Sequence, residues 1–225
     1  TPHVFVATYD WDGSHFSEIP SLSLDIGKED RSLRSNNFQL LDHDADGDQE
    51  LVLSLGSPYR GFAILDLDNQ GRLVIIKKIR PDEMLVGSGL LYSAVIDYDN
   101  DGYEDLLAIS PEGNTIKAQP FYNIGGIFDS GPLIRKNFEG ISGILYNSFQ
   151  LTDWDADGFK DVLAPFRSGD IIALTLTPAT LVIERVPVQP GPLTQIEIAD
   201  FNQDNYKDLL MLSSDINALT MVSGE

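Results

Sequence analysis

The stretch Asp42-His43-Asp44-Ala45-Asp46-Gly47-Asp48-Gln49-Glu50 sets carboxylates at alternate positions of nine residues, and the pattern recurs three times. The second copy is Asp97-Tyr98-Asp99-Asn100-Asp101-Gly102-Tyr103-Glu104-Asp105, and the third is Asp153-Trp154-Asp155-Ala156-Asp157-Gly158-Phe159-Lys160-Asp161. The fourth is Asp200-Phe201-Asn202-Gln203-Asp204-Asn205-Tyr206-Lys207-Asp208. Asp at positions 1, 3 and 5 of such a stretch places three carboxylates on one concave side of a tight loop. Gly at position 6 permits the positive φ that turns the chain inward. Position 7 can then offer its backbone carbonyl, and the acid at position 9 a further carboxylate. A set made only of oxygens suits Ca²⁺, a hard cation that takes six to eight oxygen ligands in flexible geometry. The four loops carry five, five, four and three acids, 17 of the chain's 35. That much like charge at close range repels strongly without a counter-ion.

The fourth loop departs twice. Asn202 keeps the oxygen at position 3 and loses a charge, and Asn205 replaces the glycine, which Asn tolerates better than most residues. It is expected to form the weakest site. An EF-hand loop begins the same way but needs an acid at position 12 and flanking helices. Position 12 is Leu53, Ala108, Ala164 and Met211, so all four loops fail that test.

The elements that must hold these loops read as strands. Each loop is entered from an apolar pair or near-pair (Leu40-Leu41, Val95-Ile96, Leu151, Ile198-Ala199) and left by a short apolar run. Further strand-like runs lie between loops at 61–65, 73–76, 171–174 and 180–183, with turn residues at 69–71 and 123–126. The loops start 55, 56 and 47 residues apart, about the length of a propeller blade of four short strands. The expectation is an all-β fold, a β-propeller of four-stranded blades over residues 1–225 as a single domain, with about four to five blades present. The segment His3–Ile19 reads as the last two strands of a blade whose first half is missing, with His3–Ala7 as the first of them and Phe16–Ile19 as the second. The C-terminal part supplies two strands around the fourth loop and a third at 216–222. The two partial units either combine to close a small ring or belong to a larger propeller.

Composition narrows the function. The net charge is −20, so nucleic acid and anionic membrane surfaces are repelled and cations attracted. No cysteine is present, which excludes disulfides, zinc-thiolate sites and a Cys nucleophile. No stretch approaches the roughly 20 apolar residues needed to cross a bilayer as a helix. No signal peptide is visible and the chain begins at Thr1, which reads as a mature or truncated product. The Lys77-Lys78 pair reads as a solvated strand face. No phosphate loop or nucleophile elbow is present, and no spacing recommends a catalytic triad, so a non-enzymatic role is expected.

Asp-x-Asp-x-Asp-Gly-x-x-Asp followed by an apolar strand resembles the FG-GAP/VCBS repeats of integrin-α-like β-propellers, over nearly the whole chain. The resemblance implies that each loop joins the first two strands of a blade and binds one Ca²⁺, about four ions in all. By position, the implied ligands of the first loop are Asp42, Asp44, Asp46, the Asp48 carbonyl and Glu50. Those of the second are Asp97, Asp99, Asp101, the Tyr103 carbonyl and Asp105. The third set is Asp153, Asp155, Asp157, the Phe159 carbonyl and Asp161, and the fourth is Asp200, Asn202, Asp204, the Tyr206 carbonyl and Asp208. The leading expectation is a calcium-stabilised adhesion or protein-interaction module, extracellular or periplasmic, whose partners are other proteins or further copies of itself at the cell surface. A lectin-like propeller that binds glycans is the alternative, with aromatics at loop position 2 (Tyr98, Trp154, Phe201, beside His43) as sugar platforms. A third is part of a polysaccharide-active enzyme, for which no basic residue facing a paired acid is apparent.

Overall fold

A computed structural model describes residues 3–17, 22–28, 38–55, 60–82, 91–145, 148–177, 180–188, 191–204, 206–213 and 218–222. The described chain is all β, in five antiparallel sheets that follow one another in sequence. The first holds β1 (His3–Thr8) and β2 (Leu22–Lys28). The second is β3 (Phe38–Leu41), β4 (Glu50–Leu55), β5 (Gly61–Leu67) and β6 (Leu73–Ile79) in that spatial order. The third contains β7 (Tyr92–Ile96), β8 (Asp105–Glu112), β9 (Thr115–Ile124) and β10 (Ile127–Ser130), with β11 (Ile134–Asn137) also paired to β9. The fourth is β12 (Gln150–Thr152), β13 (Asp161–Pro165), β14 (Ile171–Thr177) and β15 (Thr180–Arg185). The fifth holds β16 (Leu193–Ala199), β17 (Asp208–Ser213) and β18 (Ala218–Val222).

These sheets are blades, and each acidic loop joins the first two strands of one of them: β3–β4, β7–β8, β12–β13 and β16–β17. The expected runs at 61–65, 73–76, 171–174 and 180–183 all fall in strands. The first blade differs from expectation. Phe16 bridges Trp11 within a tight turn, the partner strand of β1 is Leu22–Lys28, and residues 18–21 lie outside the described part. The last strand is described from Ala218; residues 216 and 217 fall outside.

The blades stack face to face. In the second strand of a blade the first and third residues after the loop pack on the preceding blade, and the second packs on the following one. Thus Leu51 and Leu53 join Val6 and Leu24 of the first blade, while Val52 joins Leu106 and Ala108 of the third. Leu107 and Ile109 meet Val162 and Ala164, and Leu163 meets Leu209 and Met211. A strand sandwiched in this way must be apolar on both faces, which explains runs such as Leu106–Ile109 that lack alternation. Blade contacts run through β2 and β6, β3 and β7, β11 and β15, and β12 and β16. Among the described residues no comparable packing joins the fifth blade to the first.

Candidate metal centres

Antiparallel pairing on either side of each acidic loop fixes its two ends side by side: Leu41 pairs Glu50, Ile96 pairs Asp105, Thr152 pairs Asp161 and Ala199 pairs Asp208. The eight residues between them must return within one strand spacing, and the described ones do so in one repeated conformation. Position 6 has φ of 94°, 95° and 96° at Gly47, Gly102 and Gly158. No atom lies within 4 Å of where a Cβ would stand there, so the glycine is required for its φ and not for space. Position 4 is left-handed as well, at Ala45, Asn100, Ala156 and Gln203, with φ of 60–64°. Nothing in the sequence pattern marked that second strained position. Asn205 lies outside the described residues.

The acidic side chains organise this turn. The position-7 amide donates to the position-5 carboxylate at 2.9 Å in all four loops. The position-6 amide donates to the position-1 carboxylate at 3.1–3.2 Å in the first three. The position-5 amide donates to the position-1 Oδ1 of Asp97, Asp153 and Asp200 at 3.0–3.1 Å. In the first loop Asp42 Oδ1 is buried and has no partner. A buried carboxylate oxygen without a donor is costly, and a cation is the partner that its charge calls for.

Oxygens converge where the pattern placed them. One ligand atom from each of Asp42, Asp44 and Asp46 lies within 4.8 Å of the others, and the same holds for Asp97, Asp99 and Asp101, and for Asp153, Asp155 and Asp161. Atoms that share one ion at about 2.4 Å stand at most ~4.8 Å apart, so each set meets the separation that sharing a single cation requires. His43, Asp44 and Glu50 form a further set of the same tightness in the first loop. In the fourth loop the Asn202 amide donates to Asp204 Oδ2 at 2.8 Å, which turns a position-3 hydrogen-bond donor toward the site.

The position-9 acids have a second duty that the sequence did not disclose. Glu50, Asp105, Asp161 and Asp208 are all buried, at 0–3% exposure. One oxygen of each accepts the position-2 amide at 2.8–2.9 Å. The other oxygen of Asp105 accepts Asn123 N–H at 2.6 Å, and that of Asp161 accepts Leu176 N–H at 2.9 Å. These carboxylates therefore tie the loop to the third strand of the blade. Burial, followed by the nearby Asp99 and Asp101 charges, pushes the Asp105 carboxyl up to about 6 despite these hydrogen bonds. Burial raises Asp161 and Asp99 too, with neighbouring loop carboxylates adding to it. Placing a cation among these oxygens would relieve both causes.

The first loop is also bolted to the next blade. Asp42 N–H donates to Glu104 Oε2 at 2.8 Å, and Asn123 Nδ2 donates to the His43 carbonyl at 2.7 Å and the Glu104 carbonyl at 3.1 Å. Asn123 was expected in a turn; it is the penultimate residue of β9, buried, and the turn itself is Gly125-Gly126. Lys77 was expected on a solvated face. Its Nζ instead donates to the Gly126 carbonyl at 2.7 Å, close over the Phe128 ring, and only Lys78 is exposed.

The position-2 side chains do not form a repeated platform. Tyr98 is buried in the core, Trp154 packs half-buried between the fourth and fifth blades, and Phe201 alone is exposed. His43 Nδ1 lies 2.7 Å from Glu50 Oε2.

No family model matches this chain, and no curated protein matches it. Among solved structures it is similar to the crystal structure of BBS1N in complex with ARL6DN, soaked with lead, with 14% identity and a TM-score of 0.50. The match covers 82% of this chain and 55% of that one, so this chain spans about half the length of the structure it resembles. That structure is a β-propeller. The sheet order found here and that likeness give the same result: the chain has a β-propeller fold built of four-stranded blades.

Proposed function

We propose that each acidic loop holds one Ca²⁺ and that the ions fasten a propeller whose work is to bind other proteins outside the cytoplasm, without catalysis. The observation that carries the metal reading is the buried, partnerless Asp42 Oδ1, in a loop where Asp42, Asp44 and Asp46 each bring one ligand oxygen within 4.8 Å of the others. The residues that would hold the ions are those at positions 1, 3 and 5, the position-7 carbonyls and the position-9 acids. The ion supplies only positive charge and coordination, neutralising carboxylates that otherwise repel.

Extracellular calcium modules bind with Kd near 0.1–1 mM. At about 1–2 mM calcium a 0.1 mM site adds ~1.5 kcal/mol of stability by linkage, and four add ~6 kcal/mol, comparable to a whole domain's stability. At micromolar free calcium such sites stay empty, which favours an extracellular or periplasmic setting. The interaction reading is supported by the fold, which presents loops on a rigid frame, and by the similar structure being that of BBS1N in complex with ARL6DN. The test is a pull-down or surface-binding screen against extracellular proteins in calcium and in chelator. Capture that disappears with chelator supports the reading, and indifference to calcium contradicts it.

A further inference from the structure

We infer that the tip of the β9–β10 hairpin is a docking point for a basic, apolar segment of another protein, received between the first two acidic loops. The inference rests on the reading of the chain as an interaction module and names the surface and the partner's chemistry; it does not need the metal.

The hairpin closes in two residues. Gly125 and Gly126 have φ of 59° and 84°, and Ile124 pairs Ile127 directly across the turn. Such a turn sets the two flanking side chains next to each other on one face. Both meet water: Ile124 is 57% exposed and Ile127 65%. The third blade is packed against the second on one side and the fourth on the other, so neither of its faces is open. The exposed pair sits at the turn alone.

The fold does not require apolar residues there. The same turn of the fourth blade is flanked by Thr177 and Thr180, and Thr177 Oγ1 accepts Thr180 N–H at 3.1 Å. In the second blade the flanking pair is Leu67 and Leu73, with Leu67 again exposed. Apolar side chains left in water at a turn cost free energy that a bound partner recovers.

The tip is also held still. Lys77 Nζ donates to the Gly126 carbonyl at 2.7 Å, and Gly126 N–H donates to the buried Asn123 Oδ1 at 2.9 Å. A Cβ on Gly126 would stand 3.8 Å from the His43 ring, and one on Gly125 3.9 Å from the Tyr103 hydroxyl. The tip is therefore seated between the first acidic loop and the second. An apolar anchor fixed before binding loses little freedom when it is covered.

The surroundings select the charge of the partner. Those two loops carry ten carboxylates and no Lys or Arg. One Ca²⁺ in each would still leave them anionic. They repel an anionic lipid surface, whereas a segment that sets Lys or Arg beside apolar side chains meets both features at once.

The test uses the full chain, immobilised in calcium and panned with a random peptide library displayed on phage. Selected peptides, made synthetically, should combine Lys or Arg with apolar residues and bind more weakly as salt rises. The double variant Ile124→Ser with Ile127→Ser, altered only at exposed positions, should weaken them by at least about tenfold. Val182→Ser, at an exposed position of the fourth blade, is the control and should leave affinity unchanged. Circular dichroism shows that each variant is folded. Selected peptides that are not basic, or that bind the double variant as tightly as the wild type, would overturn the inference and leave the interaction reading standing. Binding to vesicles of phosphatidylcholine and phosphatidylserine that the double variant loses would also overturn it, in favour of a membrane. A wild type that selects no peptide and captures no extracellular protein would remove both readings.

Discussion

Asn123 Nδ2 donates a 2.7 Å hydrogen bond to the carbonyl of His43, across the junction between the second and third blades. The same amide group reaches the Glu104 carbonyl, and its Oδ1 accepts Gly126 N–H at 2.9 Å. One buried side chain thus holds the first acidic loop, the second acidic loop and the β9–β10 turn. Asn123→Ala leaves buried groups without partners and should cost about 2–4 kcal/mol, read as a lowered midpoint in urea unfolding. Asn123→Asp should cost as much, because it removes both donors and adds a buried charge.

The loop acids differ by position in what they hold. Asp161 is fully buried, accepts two backbone amides and also stands in the oxygen cluster, so Asp161→Ala should destabilise by about 3 kcal/mol in chelator and by more in calcium. Asp155 is exposed and lies in the oxygen cluster, so Asp155→Ala should lower the melting temperature in calcium and change little in chelator. Thermal melts of both variants under both conditions check the distinction.

The strained turn predicts an order of substitutions. Gly158→Ala should cost about 1–2 kcal/mol, since φ is +96° with open space around it. Gly158→Asn should cost less than half of that, because Asn accepts left-handed φ more readily than Ala. Gly169→Ala should cost more than either: a Cβ there would lie 2.6 Å from the Gly191 carbonyl oxygen, a backbone atom that cannot swing aside. Denaturant midpoints rank the three.

Metal-free protein should respond to pH in an unusual direction. Asp105 has its carboxyl raised from the ordinary 3.8 to about 6, so between those values the folded state binds more protons than the unfolded one. Its contribution to stability is therefore present at low pH and is lost as pH rises through 6; Asp99 and Asp161 act in the same direction. In chelator the melting temperature should rise from pH 7 to pH 5. In saturating calcium the trend should reverse, because protons then compete with the ion.

Much of this was legible in the residues. The four loops, their spacing and the apolar strands around them follow from local chemistry: alternate Asp residues, one Gly, short apolar runs. What was not legible depends on neighbours far away in sequence. Glu104 reaches Asp42 over 62 residues and Asn123 reaches His43 over 80, and neither residue type in isolation signals such a bond. Lys77 looked solvated because the Gly126 carbonyl that it meets belongs to the next blade. Phe16 looked like a strand residue because it is large and apolar, yet it packs on Trp11 with ring centroids 4.9 Å apart at an exposed turn. The strand-latching use of the position-9 acids was hidden because the pattern already accounts for an acid there as an expected metal ligand.

Calorimetric titration of the chelator-treated chain with calcium tests the central claim most directly. Uptake of about four ions per chain is predicted, with Kd between roughly 0.1 and 1 mM and one ion fewer after Asp99→Ala. A folded chain that takes up no calcium at millimolar concentration, and that melts at the same temperature with and without chelator, would contradict the account.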